Sequence, residues 1–218
     1  GACAIGFIFS FRNDVNEQTF AKALRARAPD VAVSVSSEVQ PEFREYERLS
    51  TTVLNAYLQP VMSRYLETLE AGIAKRAPNA SLGINQSNGG LMSVGRSREF
   101  PVRTALSGPA AGAVGAAHAA RQIGRRNIIT LDMGGTSADV ALIRDYKVDL
   151  AFDRDVAGFP IRMPCVDVET VGAGGGSVAW FDRDGLLKAG PKSAGAYPGP
   201  ACYGNGGTEP TTTDANLL

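Results

Sequence analysis

The residues best suited to chemistry lie between 132 and 139. Asp132-Met133-Gly134-Gly135-Thr136-Ser137 separates two apolar runs, Arg126 to Leu131 and Ala138 to Ile143. Both runs have the composition of strands, so the segment reads as a β-hairpin with an acid at the end of its first strand and Gly-Gly-Thr at its tip. Adjacent glycines let consecutive backbone N–H groups point at one anion, and Thr136 and Ser137 add hydroxyl donors. That is a cradle for phosphate oxygens. Asp132 repels a phosphate directly, but it can serve one through Mg²⁺, which takes one or two carboxylates together with phosphate oxygens and water. Asp139 offers a second carboxylate. The same pattern also suits a plain type I′ hairpin with a nearby acid, and local spacing does not separate the two.

A second glycine cluster, Gly172-Ala173-Gly174-Gly175-Gly176-Ser177, looks superficially like a dinucleotide fingerprint. The next residues, Val178-Ala179-Trp180-Phe181, are strand-like, and that fingerprint needs an amphipathic helix there. No GxxxxGK[ST] P-loop is present. Gly172, Gly174, Gly175 and Gly176 are therefore read as a close-approach turn. It either borders a nucleotide or substrate or serves backbone geometry alone. The 25 glycines among 218 residues exceed the usual share of about 7%. Many cluster at 89–90, 134–135, 172–176 and 190–207, which favours close approach over flexible linker.

The elements that must position these turns follow from periodicity. Residues 3–11 read as a strand, 17–28 as a helix ending at Pro29, and 31–36 as a β-branched strand. That order suggests a parallel crossover. Residues 42–76 read as helix, with Phe43, Tyr46, Leu49, Val53, Leu54, Tyr57, Leu58, Val61, Met62, Tyr65, Leu66, Leu69 and Ile73 on one stripe. The stripe predicts a core-facing side, and Pro60 predicts a break into two pieces. Residues 81–86 read as a short strand before the turn Asn88-Gly89-Gly90. Ser107-Gly108-Pro109 opens a helix of small residues running to about 123, fit for close packing. The last residues, from Thr213, read as a helix start.

Composition excludes several classes. Lys+Arg and Asp+Glu both number 22, which argues against nucleic-acid binding by bulk charge and against a polybasic membrane anchor. No apolar run approaches the roughly 20 residues of a membrane span. Cys3, Cys165 and Cys202 are widely spaced and form neither a disulfide framework nor a zinc set, so a cytoplasmic location is expected. With one histidine, His118, a Ser-His-Asp triad is not expected. Cys202, with nothing basic near it in sequence, is not expected to be a nucleophile. A strand at the very start and a helix start at the very end suggest a piece of a longer chain.

The order of motifs is similar to that of the actin, Hsp70 and sugar-kinase superfamily: a small-residue helix from Ser107, then the Asp132 hairpin. More closely, the chain resembles the hydantoinase A / 5-oxoprolinase family. The segments that carry this are Tyr46-Glu-Arg-Leu-Ser-Thr-Thr-Val-Leu-Asn-Ala-Tyr, Gln86-Ser-Asn-Gly-Gly-Leu-Met, Leu106-Ser-Gly-Pro-Ala-Ala-Gly and Asp132-Met-Gly-Gly-Thr-Ser. Val171-Gly-Ala-Gly-Gly-Gly-Ser and the run from Gly190 to Gly204 continue it. The resemblance implies an α/β, ribonuclease-H-like ATPase fold of the actin/Hsp70 type, present as an incomplete two-lobe fragment. Residues 1–125 would be the end of lobe I with the hinge helix at about 107–123. Residues 126–218 would be the start of lobe II.

The resemblance also implies an activity: ATP-dependent hydrolysis of a cyclic amide, with the ring carbonyl oxygen phosphorylated before water opens the ring. ATP and Mg²⁺ would be the cofactors. Asp132, Thr136 and Asp139 would be the catalytic residues, with Asp132 organising the metal. Gly134, Gly135, Thr136, Ser137, Gly172, Gly174, Gly175 and Gly176 would line the nucleotide site. The implied partners are the small cyclic amide and a second, hydantoinase B-type subunit, with no nucleic acid and no membrane. Two other readings stay open: the ATP-using subunit of a ketone carboxylase, and a nucleotide-binding or interaction module without turnover. Glu169 stands where the family often has histidine. The family's first Asp-rich Gly-Gly-Thr hairpin is expected upstream of Gly1.

Overall fold

A computed structural model describes all 218 residues. In chain order the elements are β1 (Ala2–Ile5), α1 (Val15–Arg27), β2 (Ala32–Val35), α2 (Ser36–Val39), α3 (Glu45–Arg76), β3 (Gly83–Asn85), β4 (Leu91–Ser93) and α4 (Val94–Glu99). After a 3-10 turn at Pro101–Thr104 come α5 (Ser107–Gln122), β5 (Ile128–Met133), β6 (Ala138–Arg144), β7 (Lys147–Val148), β8 (Leu150–Val156), β9 (Phe159–Val166) and β10 (Val168–Val171). The chain closes with β11 (Ser177–Phe181), β12 (Leu187–Ser193) and α6 (Thr212–Leu217). This is a mixed α/β chain, and it divides into two units. Gly1–Ala111 joins Leu150–Val166 in the first, and Gly112–Asp149 joins Asp167–Leu218 in the second.

That division departs from the boundary expected near residue 125. The β8–β9 hairpin returns to the first unit because its inner face fills that unit's core. Ile161, Met163 and Cys165 cluster with Val39, Phe100 and Val102. Arg162 fastens the hairpin to α3 and the segment before it, its N–H donating to Thr51 Oγ1 at 2.9 Å and its Nε to Glu42, ahead of the helix, at 2.7 Å.

In the first unit β1 and β2 pair in parallel around α1, the crossover expected from the sequence. The first strand ends at Ile5, not near residue 11. Gly6 lies hard against α3, where a Cβ would stand 1.8 Å from Leu49 Cδ2. The chain then turns, with Phe9 at φ 60°.

Helix α3 overturns two expectations. It runs unbroken for 32 residues with Pro60 inside it. Proline removes one rung of the ladder, but the turns on either side are anchored. Asn55 and Gln59 both donate to the Glu99 carbonyl, at 3.0 and 2.9 Å, and Leu66 is fully buried. The buried side is also not the aromatic one. Arg48, Thr51, Thr52, Asn55 and Gln59 point inward, while Phe43, just ahead of the helix, and Tyr46, Val53, Tyr57, Val61 and Tyr65 on it are exposed. Periodicity marks two unlike faces without saying which one is covered. The polar face is tolerated inside because its groups are satisfied. Ser34 bridges Asn55 and Gln59 at 2.9 and 3.0 Å, and Asn55 Oδ1 accepts the Val102 N–H at 3.2 Å.

The N-terminal end of that polar face meets Glu17. Its carboxylate accepts the Ser36 hydroxyl at 2.6 Å, the Phe7 N–H at 2.7 Å and the Ser37 N–H at 3.0 Å. Burial pushes this carboxyl up, but the hydrogen bonds outweigh burial and hold it below the usual range. A depressed carboxylate stabilises the fold above its unfolded pKa of about 4.3, and this is lost as pH falls through the lower folded value. Between pH 6 and 3 the urea midpoint should therefore fall steeply for the wild type and less steeply for Glu17→Gln. Equal slopes would show that Glu17 does not drive the acid limb.

In the second unit β10, β6 and β5 form an antiparallel sheet in that order, with β7 also on β6. Helix α5 spans 107–122, as the Ser-Gly-Pro start predicts, and within this unit buries Ala113, Ala117 and Ala120. β11 and β12 make a separate antiparallel pair. Thr211 caps α6 in a reciprocal box with Asp214.

Candidate functional site

The Asp132 segment is the hairpin expected. β5 and β6 pair from Ile128↔Ile143 to Met133↔Ala138, and the Gly134 N–H closes the tip on the Ser137 carbonyl at 2.9 Å. Asp132 stands directly opposite Asp139. Directly opposed residues share a face, and like charges there are unfavourable unless a cation lies between them. Asp139 also accepts the Thr170 hydroxyl of β10 at 2.6 Å. Asp132 is exposed and turned toward α5, where a Cβ on Gly112 would lie 3.8 Å from its Oδ2. No group of three or more His, Cys, Asp or Glu side chains is arranged for a metal. Two carboxylates without a third suit Mg²⁺ completed by phosphate and water, and do not suit an all-protein cage.

The glycine run 172–176 packs on the hairpin tip. The Gly175 N–H donates to the Gly134 carbonyl at 2.9 Å, and the Gly176 N–H to the Gly135 carbonyl at 2.7 Å. A Cβ on Gly174 would lie 2.6 Å from the Gly134 oxygen, and one on Gly176 2.9 Å from the Gly135 oxygen. These positions are glycine because backbone meets backbone. The contact has a directional result. In a planar trans peptide C=O and the following N–H point opposite ways, so pinning carbonyls 134 and 135 turns the N–H groups of Gly135 and Thr136 away from the run. Neither N–H makes a hydrogen bond within the chain. Two adjacent free amides aimed alike form an anion nest.

An open cleft of about 700 Å³ lies over this tip, lined by Met133, Gly134, Gly135, Thr136, Gly175 and Gly176 on one side. Gly195, Ala196, Pro200, Tyr203, Thr213 and Asn216 line the other. Among the expected site residues, the cleft thus gathers Gly134, Gly135, Thr136, Gly175 and Gly176. Asp132, Ser137, Asp139, Gly172 and Gly174 do not line it. Thr213 and Asn216 were not among the residues expected from the sequence. Thr213 is fixed there by its hydroxyl and N–H, both donating to the Gly175 carbonyl at 2.8 Å. The only signal for that was the α6 cap.

Cys202 sits beside the Asp214 carboxylate, which raises its thiol pKa and keeps it protonated. A thiolate is the nucleophilic form. Asp214 is held well below the usual carboxylate range by the Cys202 N–H at 2.8 Å, the Cys202 thiol and the Thr211 hydroxyl. The pair serves to fasten the loop. Glu169 lies on β10 opposite Val140 and does not line the cleft.

Comparison with known proteins adds an independent line. The hydantoinase/oxoprolinase family model matches residues 48–218. The chain is 47% identical over 216 residues to caprolactamase subunit alpha of Pseudomonas jessenii, covering 99% of this chain and 31% of that one. The crystal structure of the ATP-dependent caprolactamase from that organism superposes with a TM-score of 0.85 at 47% identity, again over 99% and 31% of the two chains. A nucleotide-free acetone carboxylase structure, described as carrying out ATP-dependent acetone carboxylation, gives 0.76 at 29% identity over 99% and 31%. The chain thus spans about a third of the length of these relatives.

Proposed function

Because the chain belongs to the hydantoinase/oxoprolinase family, we propose that it supplies the phosphate-gripping part of an enzyme that spends ATP to open a cyclic amide. The observation that carries this reading is the pair of unspent N–H groups at Gly135 and Thr136, held in one direction by the Gly175–Gly176 backbone. In this reading Gly134, Gly135, Thr136 and Ser137 hold ATP phosphates, and Gly172 and Gly174–Gly176 support them. Asp132 and Asp139 orient the waters of a Mg²⁺. The metal, when bound, neutralises charge on the phosphate oxygens.

The chemistry would be phosphoryl transfer. The ring carbonyl oxygen bonds to the γ-phosphorus as the bond to the bridging oxygen breaks, and ADP leaves. Water then adds to the activated carbon and the C–N bond breaks, leaving the amine and an acyl phosphate, and a second water splits the acyl phosphate to give the amino acid and inorganic phosphate. Positioning and charge neutralisation do most of the work in such transfers. The fold we assign is the ribonuclease-H-like ATPase type, with α5 as hinge helix between a lobe I part and a lobe II part. A relative named as a subunit alpha supports a second subunit as partner, and we assign it hydantoinase B type. Three free cysteines fit a cytoplasmic location, and no helix is long and apolar enough to cross a membrane.

The likeness to acetone carboxylase favours a second reading, in which the activated oxygen belongs to a ketone or bicarbonate. The test is ADP release by the parent enzyme with caprolactam, hydantoin or 5-oxoproline, against acetone plus bicarbonate. Stimulation by a cyclic amide, with Asp132→Ala about 10²-fold slower, is expected. Stimulation by ketone plus bicarbonate alone, or no effect of Asp132→Ala, would remove the cyclic-amide reading or the assigned role respectively.

A further inference from the structure

The first unit contains a partly buried cation, Arg103, that makes no ion pair. Arg103, in the 3-10 turn, stacks on the Phe100 ring with its Cζ 4.9 Å from the ring centre. The neighbouring acid, Glu99, is taken by Arg96 at 2.7 Å. The Arg103 guanidinium makes one long hydrogen bond, 3.5 Å from Nη2 to the Val39 carbonyl, so most of its five donors are unspent. Burial and the Arg96 charge both disfavour its charged form, with Glu99 opposing them. A partly buried cation with no ion pair of its own favours an anion from outside.

Beside it is a cavity of about 120 Å³ lined by Gln40, Gln86, Asn88, Arg103, Met163 and Pro164. Gln40 is 8% exposed, and its side-chain amide has no hydrogen-bond partner in the chain. The turn that carries Gln86 and Asn88 is rigid. Ser87 between them donates its N–H and its hydroxyl to the Arg103 carbonyl at 2.7 and 2.9 Å, and its own carbonyl accepts the Val166 N–H at 2.7 Å. Asn88 Oδ1 accepts the Gly90 N–H at 2.9 Å, which leaves the Asn88 NH₂ unspent. The remaining wall, Met163 and Pro164, is apolar.

We propose that this cavity binds a small carboxylic acid anion, its two oxygens on the Arg103 fork and the Gln40 and Asn88 amides, its carbon end on Met163 and Pro164. A planar two-oxygen anion matches one guanidinium. The cavity, about 120 Å³, has room for acetate or a small ring acid. The site uses first-unit residues alone and stands whether or not the second unit grips ATP.

The test is a ¹⁵N NMR titration of the 218-residue chain with acetate and 5-oxoproline, against acetamide and 2-pyrrolidinone as their uncharged counterparts. Inorganic phosphate is a third arm. A carboxylate should shift the Gln40 and Asn88 side-chain NH₂ signals with Kd near or below about 1 mM. The uncharged counterparts should bind at least about tenfold more weakly. Arg103→Met should abolish the shift and Gln40→Leu should weaken it several-fold. Where Arg103→Met proves unfolded by circular dichroism, Gln40→Leu and Asn88→Ala carry the test. No shift at these amides with 20 mM of either acid would overturn the proposal, as would equal binding of the uncharged compounds or tighter binding of phosphate.

Discussion

Arg48→Met should lower the stability of the first unit by about 3–5 kcal/mol, the cost of breaking a buried charge network. The arginine is wholly buried. It donates to Ser36 Oγ at 3.1 Å and to the carbonyls of Glu42 and Phe7 at 2.8 Å each. Ser36, at the start of α2, in turn donates to Glu17 of α1, so one guanidinium ties α3 to α1, α2 and the turn after β1. Methionine fills similar space but leaves the Glu42 carbonyl without a donor, takes one donor each from the Phe7 carbonyl and the Ser36 hydroxyl, and breaks the 3.4 Å ion pair with Glu45. Arg48→Lys, which keeps the charge but cannot reach three acceptors in a fork, should fall between. Urea denaturation measures the loss. A cost under about 1 kcal/mol would mean that the apolar contacts, not this network, hold the unit together.

Gly174→Val should be the most damaging change in the second unit. Its Cβ would meet the Gly134 oxygen at 2.6 Å and the Gly135 carbon and Ser137 nitrogen at 2.8 Å. All three are backbone atoms of the hairpin tip, so no side chain can swing away. Either the tip or the glycine run must move, at about 1–3 kcal/mol for overpacking, and the two bonds that orient Gly135 and Thr136 are lost. Hydrogen exchange at the Gly175 and Gly176 amides should speed up strongly, and ATP affinity of the parent enzyme should drop at least about tenfold. Gly115→Ala, on α5 with nothing within 4 Å of its Cβ, is the control and should change little. Unchanged exchange in Gly174→Val would show that the run does not set the tip.

The sequence made the hairpin legible because its signal is local. Two β-branched runs flank a turn that only small residues can make, and their pairing follows from their adjacency. The α1 crossover and the start of α5 were legible for the same reason. The purpose of Gly172–Gly176 was not, since the atoms it must clear belong to residues some forty positions earlier. The inward face of α3 was misjudged because apolar spacing favoured the tyrosines. What satisfies Arg48, Asn55 and Gln59 is a set of partners at Phe7, Ser34, Ser36 and Glu99 that only the folded chain assembles. Arg103 and Gln40 gave no sequence signal at all, being single polar residues in unrelated segments.

The route of the β8–β9 hairpin has a practical corollary for splicing the gene. The chain leaves the second unit after Asp149 and re-enters it at Asp167, and the Asp167 N–H donates to the Asp149 carbonyl at 2.9 Å. The two ends of the excursion therefore already touch, as the ends of tolerated domain insertions do. Residues 150–166 are an insertion in the second unit that serves as core for the first. Joining 149 to 167 through a short turn leaves the second unit's sheet order intact. The same excision takes Ile161, Met163 and Cys165 out of the first unit's core. The two halves of this chain are thus unequal as building blocks: one can be cut free as a single stretch, and the other keeps its fold only with a borrowed hairpin.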